Sequence, residues 1–412
     1  MNPPSPPERP LLRAVEPETV RANGQEILLL HDPMGIAESP WPLTMYGAWL
    51  LQFFDGRHTV AEMTEQLRRA SGREVSTEEI AGFVAEMDRA GFLVSSEFEG
   101  RRERVTREFR ESATRPARHT GAYAGDRKKL PGFLRAQWAH ERGPGTEPPR
   151  RVKKGPVRAI LAPHIDFHRG GPCYAHAYGA LAGGCDADTF VILGTAHKSP
   201  RTLYTATKKA YETPLGPAPV DTEFVDELAR RWTGGDLLAD EWYHRDEHSI
   251  EFQAVCLRWL MGRKPFRIVP VLVSSMHEHV LKKTDPLADP VVTGFVAALR
   301  KTMQGRKVCL VGGVDLAHVG AKFGDEGPLT GDLLKKIEDE DRASLARAAA
   351  VDAAGFFRSI SDVGDWRRIC GLSAITTLLA ATDASRGSLV RYDRFADIEN
   401  RELVSYAAMT FQ

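Results

Sequence analysis

The chain has 412 residues, 42% of them hydrophobic, with 55 acidic and 55 basic side chains. Such a length divides into two or three domains, and a formal net charge of zero leaves no field that would draw the protein to nucleic acid or a membrane surface. No run of roughly 18 apolar residues is present to cross a bilayer, and Met1-Asn2-Pro3-Pro4-Ser5-Pro6-Pro7 lacks the basic and apolar regions of a secretory signal.

Residues 1–14 read as a disordered tail, and 15–97 as a small α+β module. Glu26-Ile27-Leu28-Leu29-Leu30 is a short apolar strand that Asp32-Pro33 ends, and a helix over 44–54 is closed by Asp55-Gly56. Thr59 with Glu62, and Ser76 with Glu79, have the spacing of capping boxes, in which each side chain satisfies a free N–H of the first turn. The second of these helices carries Ile80, Phe83, Val84 and Met87 on one stripe, and Phe92-Leu93-Val94 closes the module as a strand. Capped helices followed by a small β element suggest a winged-helix-like shape.

In Leu50-Leu51-Gln52-Phe53-Phe54-Asp55-Gly56-Arg57-His58-Thr59-Val60, and in Phe83-Val84 through Gly91-Phe92-Leu93, the module resembles the PqqD-like family of peptide-recognition modules. That resemblance implies a leader peptide or protein partner, captured by strand addition at a sheet edge. The alternative is a degenerate winged helix that only docks. Residues 98–150 read as a basic linker containing one short helix at 131–138. Acidic residues interrupt Arg101-Arg102-Glu103-Arg104, so that run reads as a solvated helix face.

From 151 to 412 a second domain follows. Apolar, β-branched runs at 157–161, 189–193, 266–273 and 307–312 alternate with helical stretches at 175–182, 223–232, 249–261, 290–303 and 333–350. This alternation predicts an α/β fold, a mostly parallel or mixed sheet flanked by helices.

Four segments of this domain carry chemistry. His164 and His197 each sit just beyond an apolar strand, where strand ends of an α/β sheet converge on a crevice. Neutral imidazole is a common ligand for first-row metals. Cys370 precedes Gly371 and the apolar helix 372–381, a place where helix N–H groups would favour the metal-binding thiolate. Asp315 and His318 follow the strand at 307–312, so the carboxylate could orient the imidazole for proton transfer; a helix cap is the structural alternative for Asp315. Asp246-Glu247-His248-Ser249-Ile250-Glu251 opens a helix, with Glu247 and His248 placed to support the site or meet substrate. His277 and His279 read as an exposed loop outside it. The five cysteines are odd in number and scattered, which fits reduced thiols and a cytoplasmic setting. Cys173, Cys185, Cys256 and Cys309 stand in apolar or small-residue surroundings and read as buried, inert thiols.

Taken in order, Ala162-Pro163-His164, Gly171-Pro172, Leu193-Gly194-Thr195-Ala196-His197, Thr213-Pro214-Leu215-Gly216, Glu247-His248-Ser249-Ile250-Glu251, Asp315-Leu316-Ala317-His318, Ile369-Cys370-Gly371 and Val404-Ser405-Tyr406-Ala407-Ala408 resemble the Memo family. Its bacterial members include the B protein of the AmmeMemoRadiSam system. The resemblance implies a fold similar to the class III extradiol dioxygenases, with His164, His197 and Cys370 as metal ligands and Asp315 and His318 as the nearby polar pair. It also implies Fe(II), with Cu as an alternative that a soft thiolate suits. Zn with hydrolytic chemistry is a weaker fit. The run His164-Ile165-Asp166-Phe167-His168-Arg169-Gly170 departs from the family's usual small and aromatic neighbours. Asp166, His168 and Arg169 thereby add charge at the expected pocket mouth and point to a polar or anionic substrate.

Two functions follow as expectations. One is a mononuclear non-haem metal oxidoreductase acting on a small molecule or a peptide delivered by the N-terminal module. The other is a non-catalytic peptide- or partner-binding protein with a vestigial metal pocket.

Overall fold

The computed structural model describes residues 7–412 except 23–24, 38, 73, 147–153 and 199. The chain divides into two compact units, Met1–Glu111 and Ser112–Gln412.

In the first unit, β1 (Glu16–Ala22), β2 (Gln25–His31) and β3 (Trp41–Leu43) form an antiparallel sheet in that order. Then come α1 (Met45–Leu50), a 3-10 turn at Leu51–Phe53, α2 (Val60–Ser71), α3 (Thr77–Arg89) and α4 (Ser96–Glu111). Both capping boxes form, Thr59 with Glu62 on α2 and Ser76 with Glu79 on α3. The helices bury Met63, Leu67, Ile80, Val84 and Met87 against Leu30 and Leu43 of the sheet.

Three expectations change here. The strands precede the helices, whereas a wing would follow them. Among the described residues Phe92-Leu93-Val94 makes a single bridge, Leu93 to Leu12. Its partner is the segment expected to be tail: Arg13 N–H donates to the Phe92 carbonyl and Val94 N–H to the Leu11 carbonyl. Arg13 is buried in an ion pair with Asp32, 3.0 Å apart, so residues 10–14 are anchored by charge as well as by backbone; the first six residues of that expected tail lie outside the described residues.

The second unit opens with β4 (Thr114–Arg115) and α5 (Leu130–Ala139), followed by β5 (Ala159–Ala162), α6 (Phe167–Gly184), β6 (Thr189–Thr195), β7 (Tyr204–Ala206), β8 (Ala210–Tyr211) and α7 (Thr222–Arg231). Next are α8 (His248–Met261), β9 (Arg267–Val273), α9 (His277–Lys282), α10 (Pro290–Met303), β10 (Val308–Gly313) and β11 (His318–Gly320). It closes with α11 (Gly331–Ala349), α12 (Ala353–Ser361), α13 (Leu372–Ala381), β12 (Gly387–Asp397) and β13 (Glu402–Phe411). The sheet order among the described residues is β11-β13-β5-β10-β6-β9-β7, with β12 paired to β13. The central strands β5, β10, β6 and β9 are parallel, and antiparallel neighbours flank them on both sides. Strands β5 and β6 are wholly buried, because α6 and α8 cover one face while α13 and α10 lie on the other.

The stretch expected to be linker is structured. Residues 98–111 belong to α4 in the first unit. Arg115, Tyr123, Leu130, Leu134 and Trp138 are buried in the second. Arg115 is the reason: a guanidinium with a buried carboxylate partner more than a hundred residues away cannot lie in a solvated linker.

Candidate metal centre

Register brings the site together. Gly313 of β10 aligns with Ala162 of β5 on one side and Gly194 of β6 on the other. The segments leaving these strands therefore emerge side by side, carrying His164, Asp315 and His197. Cys370 arrives from the far side, on a turn that runs into α13. That turn passes through positive φ at Asp365 (47°) and Arg368 (52°). Asp365 secures it by accepting from Ile369 N–H, and Arg368 by pairing with Asp325 at 2.6 Å. Gly371 is required here, since a Cβ would stand 2.6 Å from the Asp315 carbonyl oxygen.

Each imidazole is held in one tautomer. His164 Nδ1 lies 2.9 Å from the Gly313 carbonyl and must donate to it, which leaves Nε2 with its lone pair. That nitrogen is 3.3 Å from Cys370 Sγ. His197 Nδ1 lies 3.0 Å from Glu247 Oε1, and the same carboxylate accepts the His197 backbone N–H at 2.9 Å. The donor atoms of His164, His197 and Cys370 all lie within 4.8 Å of one another. An ion at about 2.0–2.3 Å from nitrogen and sulfur ligands spans such a triangle after small side-chain shifts. The donor set therefore fits a first-row metal, with Glu247 as the carboxylate that fixes the second imidazole. His197, Glu247 and His248 form a second close group.

The electrostatics divide the two histidines. Burial, with His197 and His248 nearby, pushes His164 well below its ordinary value. Burial also opposes charge on His197, but Glu247 and Cys370 outweigh it and hold that imidazole well above 6.5. Burial likewise opposes charge on Glu247, yet His197 keeps its carboxyl well below the usual range. Burial raises the Cys370 thiol, and contact with His197 only partly offsets this. The expectation that helix N–H groups would favour the thiolate is thus corrected: Cys370 precedes the cap residue Gly371 and is desolvated. Ionising that sulfur falls to a bound cation.

Asp315 does not orient His318. Its Oδ1 accepts the His164 N–H at 2.9 Å, and burial lifts it to about 7 despite that bond. His318 instead places Nδ1 3.0 Å from the Leu316 carbonyl. Its N–H donates to the Arg367 carbonyl at 2.7 Å, beside the Cys370 turn. Burial lowers His318 to about 4. Asp166 caps α6 and pairs with Arg169, which also binds Glu402 at 2.8 Å. His168 is exposed, with its ring against Phe133. Asp166, His168 and Arg169 are absent from the lining of the cavity that opens beside Cys370. That cavity, about 310 Å³, is lined by His197, Cys370, Ser274, His277, Asp365 and Arg368 among others. His277 therefore belongs to the site region, on α9 rather than in a loop.

Sequence reasoning missed the support beneath His248. Its ring stacks on His197 at 4.7 Å and lies 5.5 Å from His119. Behind it Glu251, fully buried, pairs with Arg115, accepts from Tyr123 Oη at 2.7 Å and contacts His119 Nδ1 at 2.9 Å. Arg115 also donates to the carbonyls of His244 (2.9 Å) and Glu247 (2.8 Å), so it ties this cluster to the start of α8. The one available signal was Glu251 itself, an acidic residue in an otherwise apolar helix turn.

Two imidazoles just beyond the carboxyl ends of parallel strands thus meet a thiol from the turn before α13, a donor set that could hold a metal ion. A family model described as Memo-like protein matches residues 115–410, and the chain belongs to the Memo family. A MEMO1 family protein of Aquifex aeolicus is 26% identical over 93% of this chain and 95% of its own length. Another from Methanopyrus kandleri is 28% identical over 70% of this chain and 95% of its own length. A third, from Thermus thermophilus, is 27% identical over 82% and 94%. No helix among the described residues is long and apolar enough to cross a membrane.

Proposed function

We propose that the protein is a mononuclear metal-dependent oxidoreductase, with iron(II) as the metal and a small polar molecule or a peptide side chain as substrate. The observation that carries this reading is the convergence of one ring nitrogen each from His164 and His197 with Cys370 Sγ, all within 4.8 Å of one another. Hydrogen bonds from both Nδ1 positions preset the two lone pairs. When bound, iron at such a site supplies open positions for substrate and dioxygen and an electron source for oxidation.

The chain's own groups supply the rest. Glu247 holds the His197 ring and takes up part of the positive charge. His318, lowered to about 4 by burial and with Nδ1 donating to the Leu316 carbonyl, keeps a lone pair on Nε2 and would serve as the proton acceptor. The cavity of about 310 Å³ offers Ser274, His277 and Arg368 to a polar substrate, and its size admits one side chain of a peptide rather than a folded segment. Capture of that peptide is assigned to the first unit, whose sheet has β1 and β3 as its edge strands.

The test is metal analysis of anaerobically purified protein beside His164→Ala and Cys370→Ala. Near-stoichiometric iron, lost in both variants, together with substrate-dependent oxygen uptake, supports the reading. Equal metal content in all three proteins overturns it. Copper in place of iron would retain the site and replace the cofactor.

A further inference from the structure

The opposite end of the same strands holds a second, larger cavity of about 890 Å³, and the site just described does not use it. It opens where β5 and β10 begin and where α6, α10 and α13 end. Lys154, Arg158, Arg300, Arg306 and Lys307 line it, against the carboxylates of Asp186 and Asp383. Between these charges the wall is apolar, with Val157, Ala187, Met303, Val308 and Leu310. A cavity of this volume takes in a metabolite whole.

Basic side chains commonly meet the last carbonyls of a helix, and internal partners account for part of this lining. Arg300 donates to the Ala381 and Thr382 carbonyls at the end of α13. Arg306 pairs with Glu227 at 2.6 Å, and Lys307 lies 3.8 Å from Asp186. Lys154 and Arg158 have no such role: among the described residues their side chains make no hydrogen bond and no ion pair. Arg300, bonded to neutral carbonyls, keeps its charge as well. Three cations therefore face one unpaired carboxylate, Asp383. Their backbone is nonetheless fixed. Arg158 N–H donates to the Phe411 carbonyl at 2.8 Å, and the Arg158 carbonyl accepts from Leu310 N–H at 2.9 Å, so strands on both sides hold it. Gly155 lets the segment bearing Lys154 close on the end of α6, since a Cβ there would stand 2.6 Å from Gly184 Cα.

We propose that this cavity binds a phosphorylated small molecule, with its phosphate groups against Arg158, Lys154 and Arg300 and its organic body on the apolar wall. A guanidinium matches two phosphate oxygens at once, and the lysine adds a point charge. A ligand with a single negative charge would leave most of the cationic charge unmet, so two or more charges close together suit the site better. The apolar wall gives an organic phosphate its advantage over the bare anion. Because the metal centre lies at the other end of the strands, the proposal stands independently of the oxidoreductase reading.

The experiment is titration calorimetry of the full-length protein with ADP, pyrophosphate and adenosine. ADP is expected to bind once per chain. Pyrophosphate should compete with it more weakly, and adenosine, which lacks phosphate, should give no measurable binding. Arg158→Gln should weaken ADP by about tenfold or more, and Lys154→Gln by less. Both side chains are exposed, so both variants should fold. Cys370→Ala should bind ADP as the unaltered protein does. No saturable binding of ADP or pyrophosphate overturns the proposal, and so does ADP binding that both cavity variants leave unchanged. Binding lost in Cys370→Ala puts the ligand at the metal centre and also overturns it. Adenosine binding as tightly as ADP overturns the role of the cations.

Discussion

The two ends of the parallel strands β5, β10 and β6 place cysteine in opposite company. At the carboxyl ends Cys370 faces imidazole lone pairs, with Glu247 behind one of them. At the amino ends Cys185 lies in the wall of a cavity that Arg158, Arg300 and Arg306 also line. Lone pairs gather a cation, and guanidinium groups gather an anion. The difference shows that the surroundings of a sulfur are set by its neighbours, since one thiol ends α6 and the other precedes α13 at opposite ends of the same strands.

The most severe way to break the contrast is Arg115→Met. It strands the Glu251 carboxylate in the interior and frees the His244 and Glu247 carbonyls. Urea unfolding should show a loss of about 3–5 kcal/mol, and protein that remains folded should lose metal.

Acid probes the same end through His244. Its Nδ1 accepts from Tyr211 Oη at 2.8 Å and its Nε2 donates to the Thr205 carbonyl at 2.9 Å. Burial lowers it from 6.5 to about 3. The neutral ring is thus favoured by folding, and its contribution is complete above the unfolded value. It is lost as pH falls from about 6.5 towards 3, by roughly 5 kcal/mol at full extent. Asp315 runs the other way: its contribution is present below 3.8 and fades as pH rises through about 7. Stability measured in urea across this range should fall on acidification, and His244→Gln should flatten the slope.

The smallest effect is expected from Glu247→Gln, which keeps the shape around His197 and removes the charge. Metal affinity measured by chelator competition should drop about 10- to 100-fold.

Much of the second unit was legible in sequence because its strands are buried on both faces and read as unbroken apolar runs. Helix α10 was legible to the residue, since Asp289 caps it and Pro290 starts it. His164, His197 and Cys370 were legible because their strands and helix were. The β12–β13 hairpin was not, because β12 carries Arg391, Asp393 and Arg394 along a half-exposed strand. Arg115 and Tyr123 were hidden by distance along the chain: nothing local marks them as partners of Glu251. The roles of Asp166 and Arg169 were misplaced for a related reason. Charge near a histidine looked like substrate recognition, whereas a helix cap and Glu402 consume it.

The missing side chain at Gly371 limits the give of the whole centre. With the Asp315 carbonyl packed where a methyl group would be, the backbone beside Cys370 is pinned main chain against main chain, and the sulfur moves only by turning about χ1. An ion wanting a wider cage must move two segments at once. Among ions of similar softness, radius should therefore decide which one stays.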